Sequence, residues 1–213
     1  MKELYIRFMA PVIPQSTTQL LQVVDKALAD KVEKLHLLLS SPGGTVFHGL
    51  SLYNFLRGLP IEVWTYNFGS VDSIGVVIFC SGHRRFSVPH ARFLIHGVRF
   101  NIQGNASFDD KQLEENLKGL KIDQENIARV IADTTGKPLH TIEEDMTNRT
   151  TLNPSQAKDY GLVHEIQSTL FPVGATLAVI GEPLQAGPQL IVQATAPAVQ
   201  AYTRSRDLDV GTT

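Results

Sequence analysis

A single cysteine, Cys80, occurs in the 213 residues. One thiol excludes any disulfide within the chain. Because Cys80 ends the apolar run Val76-Val77-Ile78-Phe79-Cys80, it reads as a small buried side chain rather than a nucleophile, which fits a reducing compartment. Long uninterrupted apolar runs are also missing. The first residues, Met1-Lys2-Glu3-Leu4-Tyr5-Ile6-Arg7-Phe8, interleave charged and apolar side chains, and nothing later approaches the ~20 apolar residues that a membrane span needs. Nor is there an excess of one charge. The 19 basic and 21 acidic residues are well mixed, so the net charge of −2 leaves no electrostatic footprint for nucleic acid or an anionic membrane. No Gly-x-x-x-x-Gly-Lys-Ser/Thr run offers a nucleotide site, and no internal repeat is evident. The expectation is a soluble cytoplasmic protein with a protein, peptide or small-molecule partner, and with neither cofactor nor metal. Its length suits one compact domain plus an appendage.

What is present alternates between strand and helix patterns. Leu4 to Phe8 reads as a first strand, and Ser16-Thr17-Thr18-Gln19 as a capping-box start for a helix carrying Leu20, Leu21, Val24, Ala27 and Leu28 at helical spacing. The apolar run Leu35 to Leu39 ends in Ser40-Ser41-Pro42-Gly43-Gly44, a glycine-bearing turn before a helix from about Val46 to Arg57. A buried strand, Ile61 to Tyr66, leads through Gly69 to Gly75 into a helix that starts at Ser73, and a further strand ends at Phe93-Leu94-Ile95-His96. Repeated strand, crossover helix and strand predict an α/β fold with a parallel sheet covered on both faces. After a polar stretch from Asn101 to Ser107, a long helix is expected from Ser107-Phe108-Asp109-Asp110 to about Thr134, closed by Gly136 and Pro138. Its narrow stripe of Leu113, Leu117, Leu120, Ile127 and Ile131 suggests a helix that projects or packs along an edge. Asn153-Pro154 opens a short helix, followed by a strand at Leu162 to Ile166. Beyond Ser168 the chain turns rich in Ala, Pro, Gln and Val, with two further strand patterns (Thr176 to Ile180 and Gln189 to Gln193) and a polar end, Arg204 to Thr213, expected to be mobile.

Three strand ends carry groups suited to acyl transfer. Ser73 can attack a carbonyl, His96 can take its proton, and the backbone N–H groups of Gly44 and Ile74 can receive the oxyanion. Each group alone has a plainer reading. Ser73 can simply cap its helix, His96 can be a hydrogen-bonded residue at a strand terminus, and the diglycine turn can be a connector. The order diglycine turn, elbow serine, strand-end histidine is more specific than any of its members.

That order, together with Ser41-Pro42-Gly43-Gly44, the Gly-x-x-x-Ser-x-Gly elbow at Gly69 to Gly75, the run Arg85 to His96, and Ala157-Lys158-Asp159-Tyr160-Gly161-Leu162-Val163, resembles the proteolytic subunit of the Clp protease. The similarity covers roughly Tyr5 to Ile166. It implies a crotonase-like α/β fold of repeated strand and helix units in a peptidase domain over residues 1–167, with a C-terminal extension of unknown role over 168–213. It further implies a serine endopeptidase that cleaves short or unfolded polypeptides inside an oligomeric chamber. Ser73 would be the nucleophile, His96 the general base, and Gly44 with Ile74 the oxyanion donors. The long helix corresponds to the family's handle between stacked heptameric rings.

Two features depart from the family pattern. Counted without gaps from Tyr160-Gly161, the family's triad aspartate falls on Arg149, which is acceptor-free and permanently charged. A one-residue slip brings Asn148 to the place, where an amide oxygen can accept the imidazole N–H without supplying charge. The family's axial-loop segment has no counterpart before the first strand, which counts against an AAA+ unfoldase partner. The alternative reading is therefore a catalytically weak or silent ring subunit, or scaffold, beside an active paralogue. A crotonase-type acyl-CoA enzyme has no need of Ser73 and His96 together, and a serine–lysine signal-peptide peptidase would need a lysine near these motifs.

Overall fold

The computed structural model describes residues 2–99 and 107–181, and the backbone of residues 190–191. In chain order the elements are β1 (Glu3–Met9), α1 (Pro14–Ala29), β2 (Lys34–Ser41), α2 (Val46–Arg57), β3 (Glu62–Asp72), α3 (Ile74–Cys80), β4 (Arg84–Ser87) and β5 (Arg92–Leu94). They continue with α4 (Asp110–Thr135), α5 (Leu139–Asn148), β6 (Thr151–Leu152), α6 (Pro154–Asp159), β7 (Glu165–Ile166), β8 (Leu177–Ile180) and β9 (Leu190–Ile191). Among the described residues the strands form one sheet in the order β6-β5-β3-β2-β1-β8-β9, with β4 branching from β3 and β7 pairing with β4. Only β5 with β6 and β8 with β9 are antiparallel.

β3 is the strand that shapes the sheet. Its first part, Trp64 to Asn67, pairs with β4, while its end, Ser70 to Asp72, pairs with β5. Between them the register against β2 jumps from Leu39↔Asn67 to Ser41↔Val71. The extra residues on β3 bend it and aim its end away from the first half of the sheet. A Cβ at Gly69 would lie 2.8 Å from Ser40 Oγ, so a larger residue here would force that hydroxyl to move. The strand expected to stop at Tyr66 thus runs on to Asp72. A glycine after a β-branched run signals a bulge as readily as a turn, and pairing with a distant strand decides between them.

Both faces of the central strands are covered. One face packs Ile6, Phe8, Leu37, Leu39, Val71 and Phe93 against the helices in a single core. The other gathers Tyr5, Leu38, Tyr66 and Phe86, with Trp64 and Phe68 at its margin. Continuous apolar strands such as Leu35 to Leu39 therefore bury alternate residues on opposite sides.

Several boundaries differ from the sequence expectation. α1 begins at Pro14, which occupies the first helical turn, so Ser16 sits inside the helix, where its Oγ accepts from the Ile13 N–H at 3.2 Å. α4 is capped by Asp109 and Gln112 in a reciprocal box rather than opening at Ser107, and it closes on Gly136 at φ 74°. α5 had no expected counterpart: Pro138, read only as a terminator, has φ −59° and serves as the N-cap of the next helix. β8 pairs in parallel with β1 (Tyr5↔Leu177 to Phe8↔Ile180), so the sheet continues past the domain limit expected at residue 167. Residues 101–106 and the tail at 204–213 lie outside the described residues. Among the described residues no helix is long and apolar enough to cross a membrane.

Candidate active site

β3 ends at Asp72, and the next residue, Ser73, adopts φ 58° and ψ −130°. This backbone is unfavourable for any residue with a Cβ and persists only where its surroundings over-determine it. Three restraints do so here. The Ser73 N–H donates to the Leu94 carbonyl at 2.8 Å, the Ser73 carbonyl accepts from the Val76 N–H at 3.0 Å, and all seven residues of α3 are buried. The helix cannot slide, so the turn is held with the half-buried Ser73 at the bend.

The loop after β2 closes onto this serine. Gly43 has φ 85°, and a Cβ there would lie 2.6 Å from Ser73 Cβ and 2.8 Å from the Asp72 carbonyl oxygen. Gly44 is pinned beside Val12: the Val12 N–H donates to the Gly43 carbonyl and the Thr45 N–H to the Val12 carbonyl, both at 2.8 Å. A Cβ at Gly44 would lie 2.2 Å from the Val12 oxygen. Ser41 Oγ supports the loop from below, donating to the Ala10 carbonyl at 2.7 Å and accepting from the Gly43 N–H at 3.2 Å. Neither the Gly44 nor the Ile74 backbone N–H finds an acceptor among the described residues. Two unpaired donors thus flank the loop that packs on Ser73, an arrangement suited to a developing oxyanion.

His96 follows β5 and is half-buried. The Ser73–Leu94 hydrogen bond joins the serine to the strand that leads to this histidine, two residues before it. The His96 Nδ1 lies 2.7 Å from the Gly97 carbonyl oxygen. A carbonyl only accepts, so Nδ1 carries the proton and Nε2 is left as the basic nitrogen. The loop is strapped to the end of α5, with the Ile95 N–H donating to the Thr150 carbonyl and the Gly97 N–H to the Met146 carbonyl, both at 2.9 Å.

The third expected member is not brought to this hydrogen bond. Asn148 is the last residue of α5 and is exposed, and its side chain has no hydrogen bond among the described residues. Arg149, also exposed, closes the helix in the left-handed conformation at φ 57° and ψ 54°. Asp145 is occupied elsewhere, accepting from Thr150 Oγ1 at 2.9 Å and from the Tyr160 hydroxyl. Burial, reinforced by that carboxylate, pushes the Tyr160 phenol well above its ordinary pKa. Two features escaped sequence reasoning. A backbone acceptor such as the Gly97 carbonyl leaves no mark in the residue types, and the ion pair of Asp72 with Arg92 joins residues with no shared motif.

The sequence model of the family described as Clp protease matches residues 2–169. Among curated proteins, the ATP-dependent Clp protease proteolytic subunit 3 of Rhodococcus jostii (strain RHA1) is 33% identical over 150 residues, spanning 70% of this chain and 72% of that protein. The ATP-dependent Clp protease proteolytic subunit of Ostreococcus tauri is 32% identical over 142 residues, covering 66% and 69%. Among solved structures, a mutant of ClpP1 from Listeria monocytogenes superposes with a TM-score of 0.67 at 24% identity, over 78% of this chain and 91% of that one. The likeness in structure establishes the ClpP-like, crotonase-like α/β fold.

Proposed function

The chain belongs to the Clp protease family, and we propose that it is a serine endopeptidase of the proteolytic-subunit type, cleaving short or unfolded polypeptides within an oligomeric chamber. The observation that carries this reading is Ser73, held at φ 58° between the close-packed Gly43 and the end of β3, beside two backbone N–H groups without acceptors.

In the proposed reaction, Ser73 Oγ attacks the peptide carbonyl carbon while His96 Nε2 takes its proton. The carbonyl oxygen becomes the oxyanion and is met by the Gly44 and Ile74 N–H groups. Collapse of the tetrahedral species breaks the C–N bond, with His96 returning the proton to the leaving amine. Water then repeats the sequence on the acyl-enzyme and releases the carboxylic acid.

In place of Asn148 we assign the orienting role to the Gly97 carbonyl, which fixes the ring and its tautomer through Nδ1–H. A neutral carbonyl stabilises the imidazolium less than a carboxylate does. In a Ser-His-Asp triad, replacing the aspartate by an amide costs about 10⁴ in turnover. Slow turnover is therefore expected. The same observation favours the second reading, a weak subunit acting beside a more active paralogue. The relatives' names carry ATP dependence. These 213 residues contain no Gly-x-x-x-x-Gly-Lys-Ser/Thr run that would itself bind a nucleotide.

The test is labelling with a fluorophosphonate probe and hydrolysis of a fluorogenic peptide, wild type against Ser73→Ala. Both signals should vanish in the variant. Hydrolysis that persists unchanged without the Ser73 hydroxyl would refute the assignment.

A further inference from the structure

The residue just before the candidate nucleophile is an acid. Asp72 is only 7% exposed, and its carboxylate is held from two directions: Oδ2 accepts from Arg92 Nη2 at 2.7 Å, and Oδ1 accepts from Ser70 Oγ at 2.8 Å. Arg92 opens β5, directly opposite Ser70 in the β3–β5 register. Its own carbonyl accepts from Asn67 Nδ2 at 2.8 Å, so the strand start is tied to β3 a second time.

Two physical consequences follow from that placement. The β3–β5 ladder has only the pairs Ser70↔Arg92, Val71↔Phe93 and Asp72↔Leu94, yet it sets the strand leading to Ser73 against the strand leading to His96. A charge-assisted bond across so short a ladder adds a side-chain lock to few backbone bonds. The second consequence is electrostatic. A carboxylate beside the nucleophile opposes the negative charge that develops on the substrate oxygen during acyl transfer, and a guanidinium bound to it offsets that field.

We propose that Asp72 and Arg92 are positioning residues for acyl transfer, a paired clamp that fixes the Ser73 turn against the His96 strand, with Arg92 screening the Asp72 charge from the reaction centre. This rests on the reading of Ser73 as nucleophile. Ser70 completes the clamp by holding the second carboxylate oxygen. Arg92 is half-exposed and contributes no bulk to the core, so it is replaceable without a cavity.

The experiment compares Arg92→Gln, Arg92→Lys and the double variant Asp72→Asn/Arg92→Gln in peptide hydrolysis, fluorophosphonate labelling and amide hydrogen exchange over residues 70–97. Arg92→Gln strands a buried carboxylate, so kcat and labelling rate should fall by about tenfold or more while KM stays within about twofold. Arg92→Lys should recover part of the loss. The double variant should be faster than Arg92→Gln alone, because the unpaired charge is gone; a merely structural tie predicts no such recovery. Exchange at Ser73, whose N–H donates to the Leu94 carbonyl, should quicken in Arg92→Gln. Unchanged kcat in Arg92→Gln, or equal rates for it and the double variant, would overturn the proposal. If wild type itself proves unreactive toward the probe, the catalytic reading fails. The exchange measurement then decides the clamp, and exchange that does not quicken rejects it.

Discussion

Lys31, Ser73 and Arg149 are the non-glycine residues with positive φ among the described residues. Lys31 follows the end of α1, and Arg149 closes α5, places where a left-handed residue commonly stops a helix. Ser73 differs, because its ψ of −130° lies outside the left-handed helical region and it follows a central strand. Such backbone costs on the order of 1–3 kcal/mol and collects at working sites. Arg149 has a plainer role: its side chain is exposed, and the left-handed turn accounts for its conformation. Arg149→Gly should therefore raise stability by up to about 1 kcal/mol, read as a higher urea midpoint at constant slope. Arg149→Asp and Asn148→Ala should each leave peptide turnover within about twofold of wild type, because neither side chain reaches His96 Nδ1. A large gain in Arg149→Asp would show that a carboxylate at this place displaces the Gly97 carbonyl from the ring.

At the scale of elements, one side chain joins parts of the chain far apart in sequence. Arg85, on β4, is buried, and its guanidinium donates to the carbonyls of Gly82 at 3.2 Å, Thr134 at 3.4 Å, Gly161 at 3.3 Å and Leu162 at 2.8 Å. Burial holds its pKa below the ordinary arginine value. The fork of donors ties β4 to the end of α4 and to the turn before β7. Arg85→Met would fill the space but leave those carbonyls without their donor. It should destabilise the protein by about 3 kcal/mol, seen as a lowered urea midpoint, and Arg85→Lys should recover little because an ammonium lacks the planar fork. A loss below about 1 kcal/mol would mean that water replaces the guanidinium at these carbonyls.

At the scale of the molecule, α4 divides into two parts. Ile127, Ala128, Ile131 and Ala132 are buried, whereas Leu113 and Leu117, one turn apart on the same face, are 50% and 54% exposed, with half-buried Leu120 beside them. A soluble surface rarely keeps such a stripe uncovered, and a second copy of the chain is the proposed cover. Leu117→Glu should dissociate the assembly in light scattering without changing far-ultraviolet circular dichroism. Wild type that scatters as a monomer would refute the proposal. The pH response is likewise a property of the whole fold. His36 is 3% exposed, stacked on Tyr5 with ring centres 4.0 Å apart, and its Nδ1 lies 2.8 Å from the Tyr66 hydroxyl. Burial lowers its pKa, with Glu3 partly opposing, and His164 is lowered by burial and by Arg85. The unfolded chain then takes up protons first, near the ordinary value of about 6.5. The stability these groups contribute is complete above that pH and is lost as pH falls toward their folded pKa values. The thermal midpoint should hold steady between about pH 7 and 8 and decline below about 6.5, more steeply in wild type than in His36→Gln. A midpoint that rises on acidification would contradict this sign.

Local chemistry made much of this architecture legible from residues alone. α2 was expected from about Val46 to Arg57 and spans those residues, Gly136 closes α4, and Asn153-Pro154 opens α6, because periodicity and cap preference act within a few residues. The order of diglycine turn, elbow serine and strand-end histidine was equally visible, since each lies at the end of an apolar run. What adjacent residues cannot specify is which distant groups they will meet. Gly69 became a bulge because β3 pairs with β4 along one part and β5 along another. His96 turns to the Gly97 carbonyl in a loop strapped to α5, a helix absent from the sequence reading. Asp72 finds Arg92 only because the bent strand and its short neighbour come into register. Hydrogen bonds and ion pairs are short-ranged in space rather than along the chain, so these partners exist only once the sheet has formed.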